Sequence, residues 1–285
     1  MNLELARVEV QNALMQWRLP LRTQRWRGVV GGMRGHGTGS SLDFEDHRAY
    51  APGDDLRHLD WGAMARTGNP LMKVFRKEVR LDVDLAVDGS ASMEVGEGKM
   101  ERVMQLVWWC VGAAQEEAAS VRIWLGTERG CMPLEEEELR DKLQFGRCGD
   151  AGGSWVREVA WRSGALRIWI SDLLWPGDPE GILDVLLRGA GKVLVLVPYT
   201  AEEVAPDWGG NVEFEDVESG KRDFRNVDAS IKERYLKAYE AHFEMWRIAC
   251  ERRAICLARI PAGGELAEIL REHAAPLGAA DWVGG

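Results

Sequence analysis

Between residues 79 and 93 the chain alternates with a period of two: Val79, Leu81, Val83, Leu85 and Val87 share one face, and Asp82, Asp84, Ala86 and Asp88 the other. That period predicts a strand, which Gly89 ends in a turn. A helical period takes over at 98–119, where Met100, Val103, Met104, Val107, Trp108 and Val111 form one apolar stripe. Downstream, VRIWLG (121–126), TERG and CMPL predict a hairpin, residues 134–144 an acidic helix, CGDAGGSWV a glycine-rich loop before a short helix, and LRIWIS a buried strand ending at Asp172. A helix at about 179–189 and the strand KVLVLVP (192–198) continue the rhythm.

Residues 211–225 then predict a hairpin turning at Ser219-Gly220. A long amphipathic helix over 229–253 follows, with Tyr235, Tyr239, Phe243 and Trp246 on a core-facing stripe, then the strand AICLARI and a last helix near 264–273. The Ala and Gly tail after Pro276 reads as loose. The opening MNLELARVEVQNALMQW carries Glu4 and Glu9 and no long apolar core, so it reads as an amphipathic helix and not as a signal peptide. The whole pattern predicts an α/β fold, a mostly parallel sheet flanked by helices. An N-terminal segment, 1–78, precedes a domain, 79–285, interrupted by a β-hairpin excursion at about 204–226.

The chemistry concentrates where the first predicted strand ends. Asp88, Ser90 and Ser92 form an Asp-x-Ser-x-Ser loop, and in open α/β sheets ligands sit beyond the carboxyl ends of strands at a switch point. Mg²⁺ takes hard oxygen ligands and keeps several waters, so one or two carboxylates with hydroxyls suit it. Two neutral hydroxyls leave its charge partly uncancelled, and such a site still accepts an acidic ligand. Taken alone, the same residues also read as an Asx or Ser turn that caps the next helix. Asp172, a second acid at a strand end one β-α-β step later, favours the cation reading.

Strand-Asp-x-Ser-x-Ser, helix, hairpin, a Gly-Gly-Ser loop and a later strand ending in Asp resemble the metal-ion-dependent adhesion site of von Willebrand factor A domains. The resemblance implies a Rossmann-like fold, Ser90 and Ser92 as direct hydroxyl ligands, Asp88 and Asp172 as holders of metal-bound waters, and Ser154 where that family usually has Thr. The implied cofactor is one Mg²⁺ or Mn²⁺.

A second resemblance runs from Ser41 to Met93. SLDFEDHRAYAPGDDLRHLDWGAMARTGNPLMKVFRKEVRLDVDLAVDGSASM is similar to the signature of the bacterial domain of unknown function 58 family, in residues Arg48, Tyr50, Asp54, Asp55, Arg57, Asp60, Trp61 and Arg66. By their own chemistry Asp43, Glu45, Asp46, Arg48, Asp54, Asp55, Arg57, Asp60 and Arg66 alternate in sign and are interleaved with Phe44, Tyr50, Leu56, Leu59 and Trp61. They read either as a structural network of arginine–carboxylate pairs or as a docking surface, and mixed-sign charge beside aromatics favours the structural reading.

The remaining features narrow the function classes. A net charge of −10 argues against broad nucleic-acid binding. Five cysteines without C-x-x-C spacing fit reduced thiols in a cytoplasm and argue against a zinc site, and no apolar run is long enough to cross a bilayer. Arg18, Arg22, Arg25, Arg27 and Arg34 accompany a glycine-rich stretch, GVVGGMRGHGTGSS, that lacks the Gly-Lys-Ser/Thr ending of a phosphate loop and reads as a basic loop.

The resemblances imply a non-enzymatic, metal-dependent protein–protein interaction module. Its implied partners are a MoxR-type AAA+ ATPase and that enzyme's client, in chaperone-like remodelling or maturation, with an acidic partner side chain completing the metal site. The alternative is a Mg²⁺-dependent hydrolase or phosphatase using the Asp88 loop, since Asp82-Val83-Asp84 superficially resembles an Asp-x-Asp nucleophile motif. Those two acids lie upstream of the strand's end, and no Lys or Arg clamp near the metal is evident in the sequence.

Overall fold

The computed structural model describes residues 3–21, 42–52, 55–77, 81–127, 129–136, 139, 149–217 and 220–284. In chain order the elements are α1 (Leu3–Gln16), β1 (Trp17–Arg18), β2 (Leu42–Ala49), α2 (Trp61–Thr67), β3 (Leu71–Lys77), β4 (Asp82–Val87), α3 (Lys99–Glu116), β5 (Ser120–Thr127) and β6 (Gly130–Leu134). They continue with β7 (Leu166–Ile170), α4 (Glu180–Leu187), β8 (Lys192–Tyr199), α5 (Ala201–Val204), β9 (Gly210–Glu215), β10 (Arg222–Val227), α6 (Ala229–Glu251), β11 (Cys256–Pro261), α7 (Leu266–Ile269) and β12 (Asp281–Trp282).

Six strands form one sheet in the order β11-β8-β7-β4-β5-β6, parallel except for β6, which turns back antiparallel on β5. The fold class expected from the pattern is the one observed. Helices cover both faces, as a parallel sheet requires. One apolar cluster lies with α1, α3 and α7 and contains Trp109, Leu106 and Val107. The other lies with α4 and α6 and contains Trp169, Trp246 and Phe243. After β4 the chain adds β5 on one side and then returns to place β7 on the other. The switch point therefore falls between the carboxyl ends of β4 and β7.

The alternation in β4 suggested one buried and one polar face, yet both faces are covered and Asp84 is 0% exposed. Arg162 explains how a carboxylate survives there. Its Nε donates to Asp84 Oδ1 at 2.6 Å and its backbone N–H to Asp84 Oδ2 at 2.7 Å. Its terminal nitrogens reach Asp82 Oδ1 (2.7 Å), Ser120 Oγ (3.0 Å), Val83 O (2.5 Å) and Ser120 O (3.0 Å).

The chain divides into two compact units, residues 1–25 with 81–285, and residues 26–80. The expected boundary at 78/79 differs at the N-terminus, because α1 packs on α3 and α7 of the larger unit and β1 pairs with β12. The tail after Pro276 is likewise ordered and not loose. Ala279 and Ala280 are buried, and Trp282 meets Trp17 edge to face at 5.1 Å. The excursion at 204–226 is the hairpin β9–β10, as expected. Most of the predicted acidic helix 134–144, the basic stretch 22–41, Asp54, Cys148 and Ser219 lie outside the described residues.

In the smaller unit β2 and β3 pair antiparallel with a bulge between Phe44 and Asp46. Leu59, Ala63 and Met72 are its buried side chains among those described.

Replacing Arg162 with Met leaves the Asp84 carboxylate buried without its partner. Urea denaturation should show a loss of about 3–5 kcal/mol, and a loss below about 1 kcal/mol would show that water reaches Asp84.

Candidate functional site

Asp88 follows β4 directly, and its backbone N–H donates to Ile170 O at 2.8 Å, tying the loop to β7. Gly89 is required here by contact, since a Cβ would lie 2.2 Å from Gly126 O on β5. Gly126 in turn leaves room for the Trp155 ring, which a Cβ there would meet at 2.2 Å. Trp155 is buried in the 3₁₀ segment Gly149–Arg157 and so anchors the stretch that carries exposed Ser154.

Asp88 Oδ1 accepts from the Ser90 N–H at 3.0 Å, and Ser171 Oγ donates to Asp88 Oδ2 at 2.7 Å. The Ser90 and Ser92 hydroxyls stand 3.1 Å apart. Asp172 Oδ1 accepts from the Leu174 N–H at 3.1 Å, while the Asp172 N–H points at the Met93 sulfur at 3.2 Å. Between these acids and Leu174, Leu173 adopts φ 58°, a left-handed conformation uncommon for a leucine. Its N–H donates to Ser171 Oγ (3.1 Å), and its carbonyl meets His242 Nε2 (2.7 Å), which holds the turn in place.

The five residues expected to hold a cation, Asp88, Ser90, Ser92, Ser154 and Asp172, all line one groove of about 1010 Å³. Phe214, Val217 and Lys221 of the β9–β10 excursion line it as well. The donors are hard oxygens, which fits Mg²⁺ or Mn²⁺. Asp88 is 4% exposed, and burial, with repulsion from Asp172 added, pushes its pKa up to about 6. A buried carboxylate beside a second one is a place where a cation is stabilising.

Two charged groups were not anticipated. Lys99, the first residue of α3, is fully buried and donates to Asp172 Oδ2 (2.7 Å), Glu203 Oε1 (2.8 Å) and Ser92 O (3.0 Å). Burial works against its ammonium, yet the attraction of Asp172 and Glu203 more than offsets that and holds its pKa above the ordinary lysine value. A signal for Lys99 was present in the sequence, since a cation in the first turn of a helix opposes the macrodipole and needs another reason to be there. Glu203 sits in a Thr-x-x-Glu capping box with Thr200, a pattern that locates the helix start but not the contact with Lys99.

The acids of the alternative hydrolase reading, Asp82 and Asp84, lie toward the opposite end of β4 from Asp88 and are engaged by Arg162.

The signature residues fall within the unit of residues 26–80, where some of those described make local contacts. Asp60 caps α2 through Ala63 N–H (2.9 Å) and meets His47 Nε2 at 2.7 Å. Asp55 caps the turn 56–58 and receives the Arg57 fork, with Nη2 to Oδ2 at 2.6 Å. Arg48 lies on β2 opposite Met72, Tyr50 follows that strand with its N–H on Pro70 O, and Arg66 is in the last turn of α2. Among the described residues, Asp55 and Asp60 thus act as caps and as partners of Arg57 and His47. The aromatic interleaving does not mean packing at Trp61, which is 64% exposed.

Residues 46–128 match the model of a family described as "Protein of unknown function DUF58". Uncharacterized proteins of Mycobacterium bovis and Mycobacterium tuberculosis are each 39% identical over 57 residues, 20% of this chain and 18% of their own length. Two solved structures are similar over 60% of this chain and 99% of theirs: an aerotolerance-related membrane protein from Bacteroides fragilis (13% identity, TM-score 0.33) and the conserved hypothetical protein BatB from Bacteroides thetaiotaomicron (16%, 0.31). Among the described residues of this chain, no helix is long and apolar enough to cross a membrane.

The raised Asp88 pKa fixes the sign of a stability effect in cation-free protein. The folded state holds the proton more tightly than the unfolded chain, so stability is present at low pH and is lost as pH rises through about 6. By neutral pH the ionised carboxylate costs roughly 3 kcal/mol. Asp88→Asn, melted in chelator, should therefore be more stable than the unsubstituted chain at pH 7.5, with the difference disappearing near pH 4. Equal stability across that range would mean that Asp88 is solvated in the folded state.

Proposed function

We propose that this protein is a metal-dependent protein–protein interaction module whose divalent cation, held at the Asp88 loop, accepts an acidic side chain from a partner. The observation that carries this reading is the convergence of Asp88, Ser90, Ser92, Ser154 and Asp172 on one groove at the sheet's switch point. Ser90, Ser92 and Ser154 would offer hydroxyl oxygens to the ion, and Asp88 and Asp172 would hold its waters. When bound, the cation supplies a positive centre for a partner carboxylate. The chain's own residues do the rest: Ser171 and the Ser90 N–H orient Asp88, and Lys99 orients Asp172.

Through the resemblance of residues 41–93, the partner we propose is a MoxR-type AAA+ ATPase with its client, and the role is chaperone-like remodelling or maturation of a protein complex in the cytoplasm. Of the hydrolase alternative, the Asp-x-Asp motif is disfavoured because the Asp82 and Asp84 carboxylates are spent on Arg162; a Mg²⁺-dependent hydrolase at the Asp88 loop, whose groove Lys99 and Arg157 also line, is the second reading.

Calorimetric titration of Mg²⁺ and Mn²⁺ into the full chain should give heat that disappears in the Asp88→Ala/Ser90→Ala double variant while its circular dichroism is unchanged. Affinity should fall below about pH 6 as the proton competes for Asp88. An acidic peptide, or a MoxR-type ATPase, should be captured with Mg²⁺ and released by chelator. Capture that persists in chelator, or absence of heat with either ion, would sink the proposal.

A further inference from the structure

A fully buried lysine at a helix N-terminus is unfavourable on two counts, desolvation and the positive end of the dipole. Lys99 persists there because its three N–H donors meet three oxygens on three different segments: Ser92 O in the hydroxyl-bearing loop, Asp172 Oδ2 after β7 and Glu203 Oε1 on α5. Glu203 does not depend on Lys99 for its place. Its Oε2 accepts from the Thr200 N–H (3.2 Å), its own N–H donates to Thr200 Oγ1 (3.3 Å), and the Tyr235 hydroxyl donates to its backbone carbonyl (2.9 Å). The carboxylate is thus clamped toward the ammonium by its own surroundings.

The consequence is a charge count. Lys99 with Asp172 alone would cancel, leaving Asp88 as a single negative charge; with Glu203 included, the formal charge of these four inward groups is −2, the exposed Arg157 and Lys221 at the groove's rim lying outside that count. A divalent cation brings that to zero.

We propose that Lys99 and Glu203 form a charge-setting pair for the cation site, in which Glu203, acting through Lys99, decides how tightly a divalent ion is held. Both are positioning residues: neither is offered as a ligand. The inference rests on the cation reading above and adds two residues and a mechanism to it.

The test is a cycle of Mg²⁺ and Mn²⁺ titrations by calorimetry on the full chain, Glu203→Gln, Lys99→Met and the double variant. Glutamine keeps one acceptor for Lys99 and the Glu203 N–H bond to Thr200 Oγ1, and it loses the charge together with the second oxygen that accepts from the Thr200 N–H, so the double variant is what separates charge from capping. Glu203→Gln should weaken binding about tenfold, Lys99→Met should tighten it by a similar factor, and the double variant should return to within about threefold of the unsubstituted chain. A purely structural role predicts a different pattern, with each single change weakening binding and the double change weakening it at least as much; that result overturns the inference. So does binding by all variants within about twofold of one another, which leaves the cation site standing. Absence of binding by the unsubstituted chain overturns the inference together with the reading beneath it. If Lys99→Met does not fold, Lys99→Gln takes its place in the cycle, tighter binding by that variant supporting the pair and weaker or unchanged binding overturning it.

Discussion

The arrangement at the carboxyl end of the sheet depends on one shortage of positive charge. Asp88, Asp172 and Glu203 converge where solvent is largely excluded, and the ammonium among them belongs to Lys99. Much of the local architecture keeps these groups in place. Gly89 lets the loop press against β5, Leu173 takes a left-handed backbone so that the chain can turn directly after Asp172, and Ser171 and the Ser90 N–H hold Asp88 in one orientation. The left-handed leucine is a local backbone cost, and costs of this kind cluster where a protein holds a ligand.

How much of this was legible beforehand follows from which interactions are periodic. The strands β4, β7 and β8 and the helices α3 and α6 were readable because burial against a sheet imposes periods of two or 3.6 on apolar positions. The Asp88 loop was readable because its residues are adjacent in sequence, and Asp172 because it ends a strand. The contacts that Lys99 makes were not, since it lies 73 positions from Asp172 and 104 from Glu203. No sequence pattern records that an alternating charged face will be covered, so burial of Asp84 by Arg162 was also missed. The ordered tail shows the reverse error. Small residues such as Ala279 and Ala280 read as loose by composition, yet smallness is what lets the chain pack closely and bring Trp282 onto Trp17.

The two ends of β4 offer an internal control on what a self-sufficient polar site in this protein looks like. At the start of the strand, Asp82 and Asp84 face Arg162, whose guanidinium places five hydrogen bonds on two carboxylates, one hydroxyl and two carbonyls. All its donors are used, and planar fork geometry fits the oxygens it meets. That end is closed and asks for nothing further. At the other end, Lys99 can offer only three donors, and it spends them on Ser92 O, Asp172 and Glu203, with none left for Asp88. The Asp88 carboxyl consequently titrates near 6, driven first by burial and then by Asp172. The same fold thus solves buried acidity completely at one end of a strand and incompletely at the other. The incomplete end opens into a groove of about 1010 Å³ and is lined by hydroxyls that a hard cation would accept. A structural salt bridge would have been satisfied by the arginine solution, and the departure from it is the strongest physical reason to place the function of this chain at Asp88.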